Sequence, residues 1–301
     1  MKKLKEKKIK KFLENQQDPI SLDEVEIYGF GGPEIKFENI TITKGKFGLL
    51  RLKDCVVRNC KITQSVISEQ SYLRHAKFEN VDFTGTTFID SNLEKASFDS
   101  NCKLQYVKFD NCLVDSDNII KNCLPQESNL RLGLLYQLYK NESSNGNIKK
   151  ADEILYLIRE TEKIEKRNTL FDKGDYFKNK RKKMSFGDKA KCFGSLLKDC
   201  IEKIIWGYGL NVLHIGVTML AIILIFSAIY CVLGYSSQDN TICVLKALAM
   251  SINAFMIGGL SIGEDVIAGS ILIKAIILLQ NGIGILYFSL FTSAMYRRIA
   301  R

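Results

Sequence analysis

The residues best suited to chemistry lie in one run near the end of the chain, Gly259-Leu260-Ser261-Ile262-Gly263-Glu264-Asp265. Glycine permits φ > 0, which turns successive carbonyl oxygens toward one side, and a row of carbonyls can replace the hydration shell of a cation. The adjoining carboxylates of Glu264 and Asp265 would concentrate cations and repel anions. Other constellations are weaker. With only His75 and His214 in the chain, no histidine cluster exists for zinc or for a nucleophile's base. Cys55 and Cys60 have a CxxxxC spacing, but both fall on positions that call for a compact inward side chain. Asp82, Asp90, Asp99 and Asp110 read as solvated acids rather than a paired general acid and base. No P-loop is present. No catalytic residue, bound metal or cofactor is expected, so the chain reads as a non-enzyme.

The elements around that run are unusually apolar. Residues 206–301 carry five of the 43 Lys+Arg and three of the 33 Asp+Glu. Such a stretch does not suit water, which excludes a wholly soluble chain. Leu210–Gly234 has no formal charge and is long enough to cross a hydrocarbon core of about 30 Å. Residues 270–296 form a second candidate span, with Lys274 near one end and Arg297, Arg298 and Arg301 at the other. Between them, residues 241–265 are too apolar for an exposed loop. A third span at Ile242–Leu260 would put the Arg-rich end outside, against the positive-inside bias. The expected path is therefore re-entrant, a short helix followed by the Gly-rich run, which needs surrounding protein or a water-filled cavity. In the second span Asn281, Ile285, Ser289 and Thr292 share one stripe, expected to line a pore. Gly282 and Gly284 allow a close helix contact as the other use of that region.

The net charge of +10 is concentrated in two places. Seven lysines fall within the first eleven residues, and Lys178, Lys180, Arg181, Lys182, Lys183, Lys189 and Lys191 precede the apolar third. Charge there reads as a membrane-surface and topology signal rather than a nucleic-acid field. Both termini are expected in the cytoplasm, beneath the cell (inner or plasma) membrane. Polar residues follow the lysine-rich start, so no cleavable signal is expected. The nine cysteines have no paired framework and are expected as reduced thiols. Phe193, Leu196, Leu197, Ile201, Ile204 and Ile205 give one side of a helix expected to lie on the cytoplasmic leaflet.

A different order governs the first half. Apolar residues recur every five positions, at Phe37, Ile42, Phe47, Leu52, Val57, Ile62 and Ile67, again from Leu73 to Phe98, and again from Leu104 to Ile119. Two residues before many of these stands a small side chain, as at Cys55, Cys60, Ser71, Ala76, Thr86, Ser91, Ala96, Cys102 and Cys112. Neither a helix nor a flat strand has that period, and fixed large and small slots signal a stacked solenoid. Leu130, Leu134, Leu135 and Leu138, then Ile148, Ala151, Ile154, Leu155 and Ile158, predict two antiparallel helices joined at Ser143–Asn147. That hairpin must pack on the tower, on another copy, or on both.

The stretch AKFENVDFTGTTFIDSNLEKASFDS, from Ala76 to Ser100, resembles the pentapeptide-repeat family, which implies a right-handed square β-helix with four repeats per coil, about four coils here. WGYGLNVL (Trp206–Leu213), SINAF (Ser251–Phe255), GLSIGE (Gly259–Glu264) and LLQNGIGILYFSLFTSAMYRR (Leu278–Arg298) resemble the two-transmembrane pore-loop channel superfamily, in particular bacterial proteins that join such repeats to a pore. One register sets Gly259–Glu264 on the potassium filter T-V-G-Y-G-D. Gly263 and the acid then agree, while Gly259 replaces the threonine, Ser261 the first glycine and Ile262 the aromatic. A second register takes Ser261–Asp265 as the core and implies a less selective cation pore.

The resemblance implies a multidomain membrane protein: a basic segment over 1–30, the pentapeptide β-helix over 31–124, an α-helical hairpin connector over 125–172, a basic linker and interfacial helix over 173–209, and a pore-loop channel domain over 210–301. It also implies a homotetramer in the lipid bilayer that passes K⁺ or Na⁺, with the tower as an assembly or regulatory domain for an unknown cytoplasmic partner and no nucleic acid bound. The alternative is a membrane-anchored repeat scaffold that conducts nothing, although an anchor needs no Gly-rich loop ending in acids. A DNA mimic is disfavoured by the positive charge, and an enzyme by the lack of any catalytic grouping.

Overall fold

In the computed structural model, which describes residues 2–4, 20–32, 36–172, 174–209, 212–234, 244–256 and 271–299, the period of five becomes four walls of short parallel strands. One wall stacks β1 (Lys2–Leu4), β3 (Val25–Tyr28), β6 (Lys46–Gly48), β9 (Val66–Ser68), β11 (Thr87–Ile89) and β14 (Lys108–Asp110). A second stacks β4 (Lys36–Glu38), β7 (Val56–Arg58), β10 (Lys77–Glu79) and β13 (Ser97–Phe98). The third holds β2 (Ile20–Asp23), β5 (Ile40–Thr43) and β8 (Lys61–Thr63), and the fourth β12 (Asn92–Leu93) with β15 (Leu113–Val114). Single bridges Gly31–Arg51, Arg51–Tyr72 and Tyr72–Asn92 extend the fourth wall.

The register explains the sequence spacing. Ile27, Phe47, Ile67, Phe88 and Phe109 lie directly above one another along the first wall. The step is one coil of four repeats until Ile67 and one residue longer afterwards. A first extra residue enters at Glu69 and Gln70, both left-handed with φ of 57° and 58°, and a second between Phe98 and Leu104. Most corners of the square fall two residues after an inward apolar centre and are left-handed, as at Asn39, Asp54, Asn59, Asn80, Asp90 and Asn111. Asn and Asp tolerate that conformation better than other residues with a Cβ, which is why they recur there.

The core is a column of aromatic and aliphatic side chains. Phe88 stacks on Phe109 with ring centroids 5.4 Å apart, and Phe78 on Phe98 at 4.8 Å. Small polar side chains fill the alternate inward slot and find partners there. Ser71 Oγ accepts from Leu50 N at 3.1 Å and donates to Ser68 O at 2.6 Å.

The tower starts earlier than the sequence reading placed it, since β1, β2 and β3 lie within residues assigned to a basic N-terminal segment. Leu22 and Ile27 continue the period backward, but Gly32 stands where the next apolar centre belongs and hides the continuity. At the far end the repeat stops after Val114, and Ile119 lies on a helix, α1 (Ser116–Asn122), instead of in a fifth-residue centre. Asp115 ends the strand pattern there by accepting the Asn118 N–H at 3.1 Å, an N-cap.

The predicted hairpin, α2 (Ser128–Ser144) and α3 (Ile148–Phe171), packs on the tower: Leu134, Leu135, Leu138, Ile154 and Ile158 join the same buried cluster as Phe109 and Cys112. Asn141 behaves as the backbone of one more coil. Its Nδ2 donates to Cys112 O at 2.8 Å and its Oδ1 accepts from Cys112 N at 2.9 Å. Glu142, buried beside it, accepts from Ser116 and, at 2.9 Å, from Asn147 Nδ2. An open solenoid end would leave such groups unpaired, so these two helices are its cap.

After α4 (Asp175–Lys182) the chain forms α5 (Phe186–Trp206). The chain divides into two compact units, Met1–Cys192 and Phe193–Arg301. In the second, α6 (Val212–Gly234), α7 (Val244–Phe255) and α8 (Ile271–Ile299) follow a break at Gly207–Gly209. Gly207, Tyr208 and Gly209 all have φ between 54° and 69°. Three left-handed residues in a row end one helix and start another, and His214 Nε2 braces the corner 2.8 Å from Ile204 O.

Candidate functional site

Two helices, Val212–Leu233 and Ile271–Tyr296, are long and apolar enough to cross a membrane. Between them α7 has 12 residues. At 1.5 Å each it reaches about 18 Å, too short for a core of about 30 Å. Its amphipathic pattern explains its place: Ala247, Ser251, Ala254 and Phe255 are buried, whereas Val244, Leu245 and Ile252 are exposed.

One hydrogen-bonded network ties α7 to both long helices. Gln280 Nε2 donates to Ser251 O at 2.9 Å and to Ser251 Oγ at 2.8 Å. Gln280 Oε1 accepts from the Tyr230 hydroxyl at 2.6 Å, and Ser251 Oγ donates to Ile223 O at 2.7 Å. Gln280 and Ser251 are fully buried and Tyr230 nearly so. In apolar surroundings an unpaired amide would be costly, so the side chains hold one mutual arrangement. Below them Gly284 abuts the Phe255 carbonyl so closely that no Cβ fits. The glycine therefore serves the close helix contact. No local spacing in the sequence marks Gln280 and Tyr230; the one signal is an amide directly before Asn281 at the start of the stripe.

That stripe lies on another side of α8. The inward side carries Ile277, Gln280, Tyr287 and Ala294, whereas Ile285, Ser289 and Thr292 are exposed and Asn281 is half-buried. Ser289 Oγ donates to Ile285 O and Thr292 Oγ1 to Phe288 O, both at 2.8 Å. The Asn281 Oδ1 is shielded and has no hydrogen-bond partner among the described residues. The run Gly259, Leu260, Ser261, Ile262, Gly263, Glu264 and Asp265 lies outside the described residues.

Comparison with known proteins concerns the tower. Residues 69–100 and 76–113 match the family described as pentapeptide repeats, with eight copies. The tower is a pentapeptide-repeat β-solenoid. No curated protein matches the chain. Among solved structures it is similar to a trypsin-treated variant of QnrB1, a plasmid-mediated fluoroquinolone resistance protein, at 13% identity over 38% of this chain, with a TM-score of 0.18. It is also similar to Rfr23, a pentapeptide repeat protein from the cyanobacterium Cyanothece 51142, at 15% identity over 34% of this chain and a TM-score of 0.15. The chain spans 65% of the length of each of these structures.

Within the pentapeptide tower the candidate chemical residues are packing residues. Cys55 and Cys60 are buried in the small slots of successive repeats, and the Cys60 thiol donates to Arg58 O at 3.1 Å. Burial pushes the Cys60 thiol up to about 11 and those of Cys102 and Cys123 up to about 12. A thiol so hard to ionise is a poor nucleophile and metal ligand. Among the described residues no group of three or more His, Cys, Asp and Glu could hold a metal. His75 occupies a left-handed corner with Nδ1 3.2 Å from Asp54 Oδ1, and Asp90 accepts from Asn111 Nδ2 at 2.6 Å in the next coil. These acids bridge coils rather than converge on one point.

Proposed function

We propose that the chain is a subunit of a tetrameric cation channel whose pentapeptide tower is a cytoplasmic assembly or regulatory domain. The observation that carries this reading is α7: a 12-residue helix wedged between two candidate spanning helices and fixed to both through Gln280, Ser251 and Tyr230. A simple anchor has no use for such a helix. Its C-terminal carbonyls carry the negative end of the helix dipole, which favours a cation, and the run Gly259–Asp265 follows three residues after Met256.

The exposure of the long helices supports the same reading. Leu213, Leu220, Leu224, Val232, Leu272, Leu279 and Leu286 are all well exposed, as suits lipid or neighbouring subunits. One chain supplies one short helix and two long ones, too few to enclose an ion path, so closed symmetry supplies the rest. Asn281 with its unpartnered oxygen, Ile285, Ser289 and Thr292 then face the shared axis as the pore-lining stripe. Glu264 and Asp265 ring the mouth, and the carbonyls from Gly259 to Gly263 bind K⁺ or Na⁺.

The test is single-channel recording of the purified protein in planar bilayers. Replacing Glu264 and Asp265 by Gln and Asn is expected to lower cation conductance, most at low ionic strength where screening is weakest. Ser261→Gly raises K⁺ over Na⁺ permeability if Gly259–Glu264 is the filter, and leaves it unchanged if Ser261–Asp265 is the core. Absence of current from correctly folded protein would favour the anchored scaffold.

A further inference from the structure

Helix α5 carries a pattern that neither the tower nor the pore reading uses. Phe186, Phe193, Leu197, Ile201 and Ile204 are spaced seven, four, four and three apart, so they form one stripe, and all are exposed, from 47% at Phe193 to 87% at Phe186. The charges are sorted around that stripe. At 3.6 residues per turn, Lys191 and Lys198 border it on one side and Lys189 and Lys203 on the other, whereas Asp188, Asp199 and Glu202 project from the opposite side. Lys191 is exposed, and the Lys198 side chain, 72% exposed, pairs with Glu202 Oε1 at 3.6 Å, a surface contact that a phosphate would replace. Gly187 and Gly194, between the ridge and these two lysines, have open space where a Cβ would stand.

An apolar ridge edged by cations, with the acids turned away, matches the boundary between acyl chains and phosphate groups. A protein partner would have no need to keep every acid off the apolar side. Chain continuity places the ridge at the right level, because Trp206 ends α5 and the apolar helix α6 begins at Val212, directly after the left-handed corner at Gly207–Gly209.

We infer that α5 is a binding surface for anionic phospholipid headgroups, with Lys191 and Lys198 contacting the phosphates while Phe193, Leu197, Ile201 and Ile204 enter the acyl region. This rests on α6 and α8 spanning the bilayer and not on conduction. Basic residues beside an anionic surface act together, and at the usual scale two lysines correspond to about a thirtyfold local preference for anionic over zwitterionic lipid.

Trp206 is the one tryptophan of the chain, so the reporter can be moved. Full-length protein carrying Trp206→Phe and Leu197→Trp is placed in nanodiscs with equal fractions of tail-brominated phosphatidylglycerol or tail-brominated phosphatidylcholine. Leu224→Trp in the same background reports insertion of α6. Stronger quenching of the residue-197 reporter by the brominated anionic lipid is expected, with the difference lost in Lys191→Gln/Lys198→Gln and kept in Lys191→Arg/Lys198→Arg. Equal quenching by both lipids would overturn the proposal. So would no quenching at 197 with quenching at 224, which would mean that protein covers the face. Silence at both sites would remove the spanning reading itself.

Discussion

Phe88 and His75 sit in neighbouring coils of the same tower and should respond to substitution in opposite ways. Phe88 is fully buried between Phe83 and Phe109, so Phe88→Ala should cost about 3–5 kcal/mol in urea unfolding, while His75→Ala should stay within about 0.5 kcal/mol. Equal losses would contradict the inward and outward assignment. The thiols supply a pH test at the same scale. Folded Cys60, Cys102 and Cys123 hold their protons to about 11 or 12 because burial opposes the thiolate. The unfolded chain ionises its thiols near the ordinary value of about 8.5. Their contribution is therefore fully present below that value and is lost as pH rises through 9 toward 12. The pentapeptide tower should lose stability over that window, and alkylation of Cys60 and Cys102 at pH 8 should be slow until the protein unfolds.

At the scale of elements, the end cap and the short helix each depend on one amide. Asn141→Leu leaves the buried Cys112 N–H without its acceptor, while Asn145 Nδ2 still reaches Cys112 O at 2.6 Å, at about 1–3 kcal/mol for the one group left unpaired. Hydrogen exchange at the Cys112 amide should speed up well before that of Phe88, whereas unchanged protection would show that the hairpin does not cap the tower. In the second unit, Gln280→Leu orphans the Tyr230 hydroxyl and frees α7, so the thermal midpoint in detergent should fall clearly more than for the exposed Leu279→Ala. A smaller effect than at Leu279 would deny the network its positioning role. The contrast in what the sequence revealed follows from how each element is specified. The coils and the hairpin repeat a pattern, every five residues or every three to four, and repetition survives odd exceptions such as the extra residue at Gln70. Gly32 broke the period once, and the first coil disappeared behind it. The cap and the network are single side chains meeting across long separations in the chain, Asn141 with Cys112 and Gln280 with Tyr230 and Ser251, and no local spacing announces them. The stripe from Asn281 to Thr292 was legible as a stripe because it is periodic, but its outward position depends on which side of α8 meets α7.

For the whole molecule, the two units satisfy their polar groups in different ways. In the pentapeptide tower, backbone groups pair from coil to coil and the last coil pairs with Asn141. In the apolar unit, Gln280, Ser251 and Tyr230 pair with one another and Ser289 and Thr292 bond to their own helix, as a bilayer would require. In sequence, the basic run from Lys178 to Lys191 precedes the apolar unit, where a chain entering a membrane would meet anionic headgroups. Cation conduction is tested most directly by the reversal potential of purified, reconstituted protein across a tenfold KCl gradient. Cation conduction through a ring of Glu264 and Asp265 predicts a current that reverses close to the K⁺ equilibrium potential; reversal at zero or on the chloride side would contradict it.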